Sequence, residues 1–143
     1  MSNTRKQIFL VDDDAVFLKS LQLDFMNQTE YEITTFATGE ECIKNLTPHP
    51  SVVVLDYHLD GITPNAINGL QTLDHIKGIN KHIPVVMLSS QDSIEIAINC
   101  MHHHAFDYVV KSETAFMRLQ KIIANILYYQ KMEVELDWYM SRM

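Results

Sequence analysis

An alternating α/β fold, a doubly wound five-stranded parallel sheet with helices on both faces, is what this sequence predicts. Two observations predict it: short apolar runs alternate with longer amphipathic stretches, and acidic, hydroxyl or ammonium residues stand immediately after several of the runs. The alternation is the pattern of parallel strands joined by crossover helices. The runs fall at 8–11, 32–37, 52–55, 85–88 and 108–110. The first, third and fourth are nearly all apolar, as expected of central strands covered on both faces. The run around Ile33 alternates apolar with polar and reads as an edge strand.

The helices follow from period and capping. Residues 15–26 carry Val16, Phe17, Leu21 and Phe25 at helical spacing, with Asp14 placed as the N-cap. Thr38 and Glu41 form a capping-box pattern that opens a helix through Leu46. Residues 69–79 set Leu70, Leu73 and Ile76 on one stripe, and 93–103 do the same with Ile94, Ala97, Ile98 and Met101. From Thr114 onward Phe116, Leu119, Ile122, Ile123, Ile126 and Leu127 mark a final helix. Residues 131–138 alternate polar with apolar yet consist mostly of helix formers, so they read as its continuation. The irregular stretch 57–67 follows the third strand and contains Gly61 and Pro64.

Composition narrows the function classes. The 143 residues make one domain's worth of chain, and 47% hydrophobic against 20% charged residues suits an ordinary globular core. Eleven Lys+Arg against eighteen Asp+Glu give a formal charge of -7, the wrong sign for a broad basic face on phosphate backbones, so direct nucleic-acid binding is disfavoured. No apolar run approaches the roughly 18 residues of a membrane span, and the opening apolar run is too short for a signal-peptide core; a cytoplasmic protein is expected. Cys42 and Cys100 form no Cys-x-x-Cys pair and read as packed small hydrophobes. Successive histidines at 102–104 point in different directions on a helix, so they read as residues at a helix C-terminus rather than as metal ligands.

In an open parallel sheet, ligands bind beyond the carboxyl ends of the strands. After the first run come Asp12, Asp13 and Asp14, after the third Asp56, after the fourth Ser89 and Ser90, and after the fifth Lys111. Adjacent strands would bring carboxylates, hydroxyls and an ammonium into one pocket. Clustered carboxylates raise one another's pKa values unless a cation neutralises them, and Mg2+ fits best because it accepts one or two carboxylates and leaves room for phosphate oxygens. Taken singly, each feature has a plain structural explanation in helix caps, turns or a solvated lysine. Their joint placement at strand ends carries the weight.

Val11-Asp12-Asp13, Leu55-Asp56, Leu88-Ser89-Ser90 and Tyr108-Val109-Val110-Lys111, in this order, resemble the signature set of the response-regulator receiver domain of two-component signalling. The resemblance covers about residues 6–127 and implies a flavodoxin-like receiver domain over residues 1–127; residues 128–143 lie beyond it and read, from their own composition, as an extended C-terminal helix. It implies that Asp56 is similar to the phosphoacceptor, and that Asp12, Asp13 and Asp56 with the His58 backbone carbonyl correspond to the Mg2+ ligands. It also implies that Lys111, Ser89 and Ser90 contact the phosphoryl group, and that Ser89 and Tyr108 match the switch pair. The function implied is acceptance of a phosphoryl group from a histidine kinase or phosphotransfer protein, self-catalysed rather than enzymatic in the usual sense, with an unidentified downstream protein target.

The sequence departs from the family pattern at several positions. Asp60 stands where a proline is usual, Asn68-Gly69 replaces Asp-Gly, and residues 60–67 read as an insertion. Ser112 follows Lys111 in place of a proline, so the bond between them is either trans or held cis under strain. His104 stands where a glycine is common, which requires a left-handed conformation or a reshaped turn. Two other readings compete. A haloacid-dehalogenase-type phosphatase would want a second Asp two residues past the nucleophile, where this chain has His58. A phosphorylation-independent binding module with a degenerate acidic pocket is the alternative that the missing proline and long loop keep open. No Gly-x-x-x-x-Gly-Lys or Gly-x-Gly-x-x-Gly motif supports nucleotide binding. Beyond Leu127 the bulky residues Tyr129, Val134, Leu136, Trp138, Tyr139 and Met140 have nothing in such a domain to cover them, and homodimerisation through this helix is expected.

Overall fold

A computed structural model describes residues 5–143. Five parallel strands, β1 (Gln7–Val11), β2 (Glu32–Phe36), β3 (Val52–Asp56), β4 (Val85–Ser89) and β5 (Asp107–Val110), lie in the order β2-β1-β3-β4-β5. The helices α1 (Ala15–Gln28), α2 (Gly39–Lys44), α3 (Gly69–Ile79), α4 (Ile94–His102) and α5 (Ala115–Ser141) alternate with them. This is the doubly wound, flavodoxin-like sheet expected, with the partly polar β2 at one edge.

Each face of the sheet has its own core. Phe9, Val11, Val53, Leu55, Val85 and Met87 point to the face covered by α2, α3 and α4, where Cys42, Leu73, Ile76 and Cys100 meet them. Ile8, Leu10, Val52, Val54, Val86, Leu88 and Val109 point to the other, against Leu21 and Phe25 of α1 and Leu119, Ile123 and Ile126 of α5. The period-2 alternation of strand side chains accounts for the division, and burial on both faces accounts for the all-apolar central runs.

Several local expectations hold in detail. The Asp14 carboxylate caps α1 by accepting from the N–H groups of Val16 and Phe17. Thr38 caps α2 through the Glu41 N–H, but the Glu41 carboxylate takes the Thr38 hydroxyl rather than a backbone N–H, so the box is half made. The complete capping box lies at α3, between Asn68 and Gln71. The helix over residues 38–46 is shorter than read, ending at Lys44.

The reading of α4 needs correction. Ile94, Ile98 and Met101 are exposed, and the buried side runs through Ile96 and Cys100. Isoleucines at 94, 96 and 98 occupy both faces of a short helix, so apolar period alone does not choose between them. On α1, Val16 likewise faces solvent, while Leu21 and Phe25 are buried. After α4, the Ala105 N–H reaches the Cys100 carbonyl and the His104 N–H that of Met101, the two bonds of a Schellman motif. His104 therefore takes the left-handed conformation, with φ of 72°. Among the described residues the one cis peptide bond is Thr47–Pro48, so the Lys111–Ser112 bond is trans.

A cluster of three carboxylates and a lysine

The carboxyl ends of β1, β3, β4 and β5 converge at one edge of the sheet. Asp12, just past β1, is 2% exposed and Asp56, the last residue of β3, is equally buried. With Asp13 they place one carboxylate oxygen each within 4.8 Å of one another. Lys111, just past β5, lies with Nζ 2.7 Å from Asp12 Oδ2 and 3.4 Å from Asp56 Oδ1. The backbone adds donors: the Asp14 N–H reaches Asp12 Oδ1 at 2.9 Å and the His58 N–H reaches Asp56 Oδ1 at 3.3 Å. Residues from distant parts of the chain meet here because parallel strands end in register, Val11 beside Leu55 and Asp56 beside Leu88.

The electrostatics follow. Burial, then the nearby Asp12 charge, push the Asp56 carboxyl up to about 7, against the opposing pull of Lys111 and the His58 amide. Burial and Asp12 also raise Asp13, while Lys111 and the Gly61 backbone amide lower it. Burial tends to lower Lys111, but Asp12 and Asp56 outweigh it, and the ammonium is held above its ordinary value. One lysine is thus set against three carboxylates. Asp12 Oδ2 is a buried oxygen with the Lys111 ammonium beside it but no well-angled hydrogen bond. An all-oxygen donor set with uncompensated charge fits a hard divalent ion such as Mg2+.

At the end of β4 the buried Ser89 hydroxyl accepts from the Gln91 N–H at 3.1 Å, and Ser90 is exposed. The Ser89 carbonyl accepts from the Lys111 N–H at 2.8 Å, tying the two strand ends together. Tyr108 donates its hydroxyl to the Gln91 carbonyl. Both side chains are therefore bonded to the backbone of one loop residue.

Some neighbours of the site are not legible in the sequence. Gly69 packs so tightly on β3 that a Cβ there would lie 2.1 Å from the Asp56 carbonyl oxygen. Gly61, in the loop 57–68, lies against Asp13, where an added Cβ would be 3.7 Å from Oδ2. The loop is closed by the Gly69 N–H on the Tyr57 carbonyl and anchored by the Ile67 N–H on Glu40 of α2. The Phe17 ring centre lies 4.8 Å from Lys111 Nζ. A glycine opening α3 was visible as a pattern; the contacts of Phe17 and Gly61 depend on tertiary packing and leave no local signal.

A parallel sheet in this order, with an acidic cluster and a lysine at its carboxyl edge, defines a phosphorylation-type site of the receiver class. Residues 8–126 match the family model described as the response regulator receiver domain, and the chain belongs to that family. A receiver domain is a phosphorylation-controlled switch rather than a true enzyme, and residues 8–126 form one. The chain is 30% identical over 111 residues to the two-component response regulator ORR27 of Oryza sativa subsp. japonica, covering 78% of this chain and 17% of that protein. It is 35% identical over 107 residues to the protein-glutamate methylesterase/protein-glutamine glutaminase of Bacillus subtilis, covering 71% of this chain and 28% of the relative. The chain thus spans less than a third of the length of either. Among solved structures, the receiver domain of NtrX from Brucella abortus superposes with a TM-score of 0.73 at 28% identity, over 85% of this chain and 98% of that one. Among the described residues, no helix is long and apolar enough to cross a membrane.

Proposed function

We propose that Asp56 is the phosphoacceptor, that Asp12, Asp13, Asp56 and the His58 carbonyl hold Mg2+, and that Lys111, Ser89 and Ser90 receive the phosphoryl oxygens. The observation that carries this is the Lys111 ammonium set between Asp12 and Asp56 at the ends of three strands. Its position also answers the departure at Ser112: with a trans bond, the lysine still reaches both carboxylates, which favours a working pocket over a degenerate one. The donor is the phosphohistidine of a sensor kinase or phosphotransfer protein, the partner class the family implies.

Phosphoryl transfer passes through a loose transition state, so the protein's work is alignment and neutralisation of charge. An Asp56 carboxylate oxygen forms the new bond to phosphorus as the phosphorus–nitrogen bond of the donor breaks, and the electron pair leaves with the imidazole. Mg2+ supplies charge neutralisation among the three carboxylates and the incoming oxygens. Lys111 stabilises the transferred group, and the Ser89 hydroxyl turns toward it. In turning, Ser89 gives up the Gln91 N–H, and the loop that also holds Tyr108 is released. Tyr108 then moves inward, which makes the output a shift of population between two arrangements of β4, β5 and the loop joining β4 to α4. Residues 128–143 form a helical extension that pairs two copies of the chain.

The test is intact mass after incubation with Mg2+ and a small phosphodonor. One phosphoryl group is expected on the native chain and none on Asp56→Asn; an undiminished increment on that variant overturns the assignment. Asp13→Ala should weaken Mg2+ binding at least about tenfold, as expected when a direct ligand is lost. Unchanged affinity in a titration would place the metal elsewhere.

A further inference from the structure

Lys111 has somewhere else to go. A cavity of about 370 Å3 opens beside it between α1 and the start of α5, lined by Phe17, Asp24, Lys111, Ser112, Glu113 and Phe116 among others. Two of these residues carry carboxylates, the half-buried Asp24 and the exposed Glu113. Neither pairs with Lys111, whose ion-pair partners are Asp12 and Asp56. A lysine stem is long and flexible, and competing negative charge across open space would ordinarily divide its time. Nor does a proline follow the lysine to stiffen the chain: Ser112 does, through a trans bond.

Phe17 lines this cavity and also touches the ammonium, its ring centre 4.8 Å from Nζ, within the reach of a cation–π contact. The ring belongs to α1, the helix that begins just after the acidic pair and is capped by Asp14, so its place is tied to the same strand end as Asp12 and Asp13. Phe17 packs against the core shared by α1 and α5. The lysine side chain is only 14% exposed, which strengthens attraction to an aromatic face relative to a contact in open water. We propose that Phe17 is a positioning residue for Lys111, its ring holding the ammonium toward Asp12 and Asp56 and away from Asp24 and Glu113. The proposal rests on the role given above to Lys111 in receiving the phosphoryl group.

Three variants test it. Phe17→Leu keeps apolar bulk and removes the aromatic face; Phe17→Tyr keeps the face; Glu113→Gln removes a competing charge. In metal-free protein, NMR of the Lys111 side-chain ammonium should show a slowly exchanging, distinct signal in the native chain and in Phe17→Tyr. In Phe17→Leu the signal should move toward that of a free lysine. Phosphorylation by a small phosphodonor should slow about three- to ten-fold in Phe17→Leu, the size expected of losing a partly desolvated cation–π contact. Adding Glu113→Gln to Phe17→Leu should restore much of that loss, which a role in packing alone does not produce. The proposal is overturned if Phe17→Leu leaves the lysine signal unchanged, if Phe17→Tyr falls as far as Phe17→Leu, or if Glu113→Gln repairs nothing. Should Phe17→Leu fail to fold, Phe17→Met carries the same measurements. If Asp56 takes no phosphoryl group even in the native chain, the function proposed above fails, while the NMR signal of the metal-free protein still decides the role of Phe17.

Discussion

Asp56 is a residue whose burial works against its ionisation. With its carboxyl pushed up to about 7 from an ordinary 3.8, the folded protein binds this proton more tightly than the unfolded chain does. The stability that follows is present in full below about pH 4 and is lost as pH rises through about 7; Asp13, also raised, adds in the same direction. Asp56→Asn is nearly isosteric and permanently neutral. In metal-free buffer it should melt higher than the native chain at pH 8, by about 5 °C, and the difference should shrink toward pH 5. Thermal melts of the two proteins across that range check it, since histidine titration is common to both and cancels. A gap that does not change with pH would mean that the Asp56 charge is already compensated without metal. Mg2+ affinity should climb through the same pH range, because the ion needs the carboxylate.

At the scale of elements, what could be read in advance depended on whether the controlling contact was local. Strand runs 8–11, 52–55 and 85–88 announced themselves because burial on both faces leaves no polar position, and Asp14 and Thr38 announced helix starts because a cap acts over three residues. The carboxylate and lysine cluster was legible for the same reason: in a parallel sheet the residues at the carboxyl end of each strand are fixed by the strand itself. The inward face of α4 was not, since isoleucines lie on both sides and the choice is made by Cys100 meeting the sheet. His104 lies between these cases. Its need for a left-handed turn was readable, and the Schellman bonds of His104 and Ala105 now fix that turn. A side chain in this conformation costs on the order of 1–2 kcal/mol, and glycine returns part of the gain as entropy of the unfolded chain, so His104→Gly should stabilise by about 0.5–1 kcal/mol. The β-branched His104→Val should destabilise instead. Urea unfolding with an unchanged slope would show both; a loss of stability on His104→Gly would mean that the imidazole makes a contact outweighing the strain.

At the largest scale, the unbalanced feature among the described residues is α5, 27 residues and so about 40 Å long, of which the first half lies on the sheet. Leu119, Ile123 and Ile126 are buried, and the Gln130 side chain donates to the Ser51 carbonyl; residues 131–141 are all exposed. Among them Val134 is 70% and Trp138 53% exposed, with Leu136, Tyr139 and Met140 also in solvent. The segment therefore does not fold back onto its own domain. Tyr129, Met132, Leu136 and Tyr139 recur at spacings of three and four along one side, the seam that a second helix fills, and Glu133, Glu135 and Asp137 stand among the neighbouring polar positions. A second copy offers the same seam, which is the requirement of a twofold interface. The full chain should sediment as a dimer at micromolar concentration, and a truncation after Leu127 as a monomer with the sheet intact by circular dichroism. Leu136→Glu, which buries a charge in the seam and leaves the domain untouched, should also give a monomer. If the full chain already runs as a monomer, the pairing is wrong; if the truncation remains a dimer, the contact lies on the domain and not on this helix.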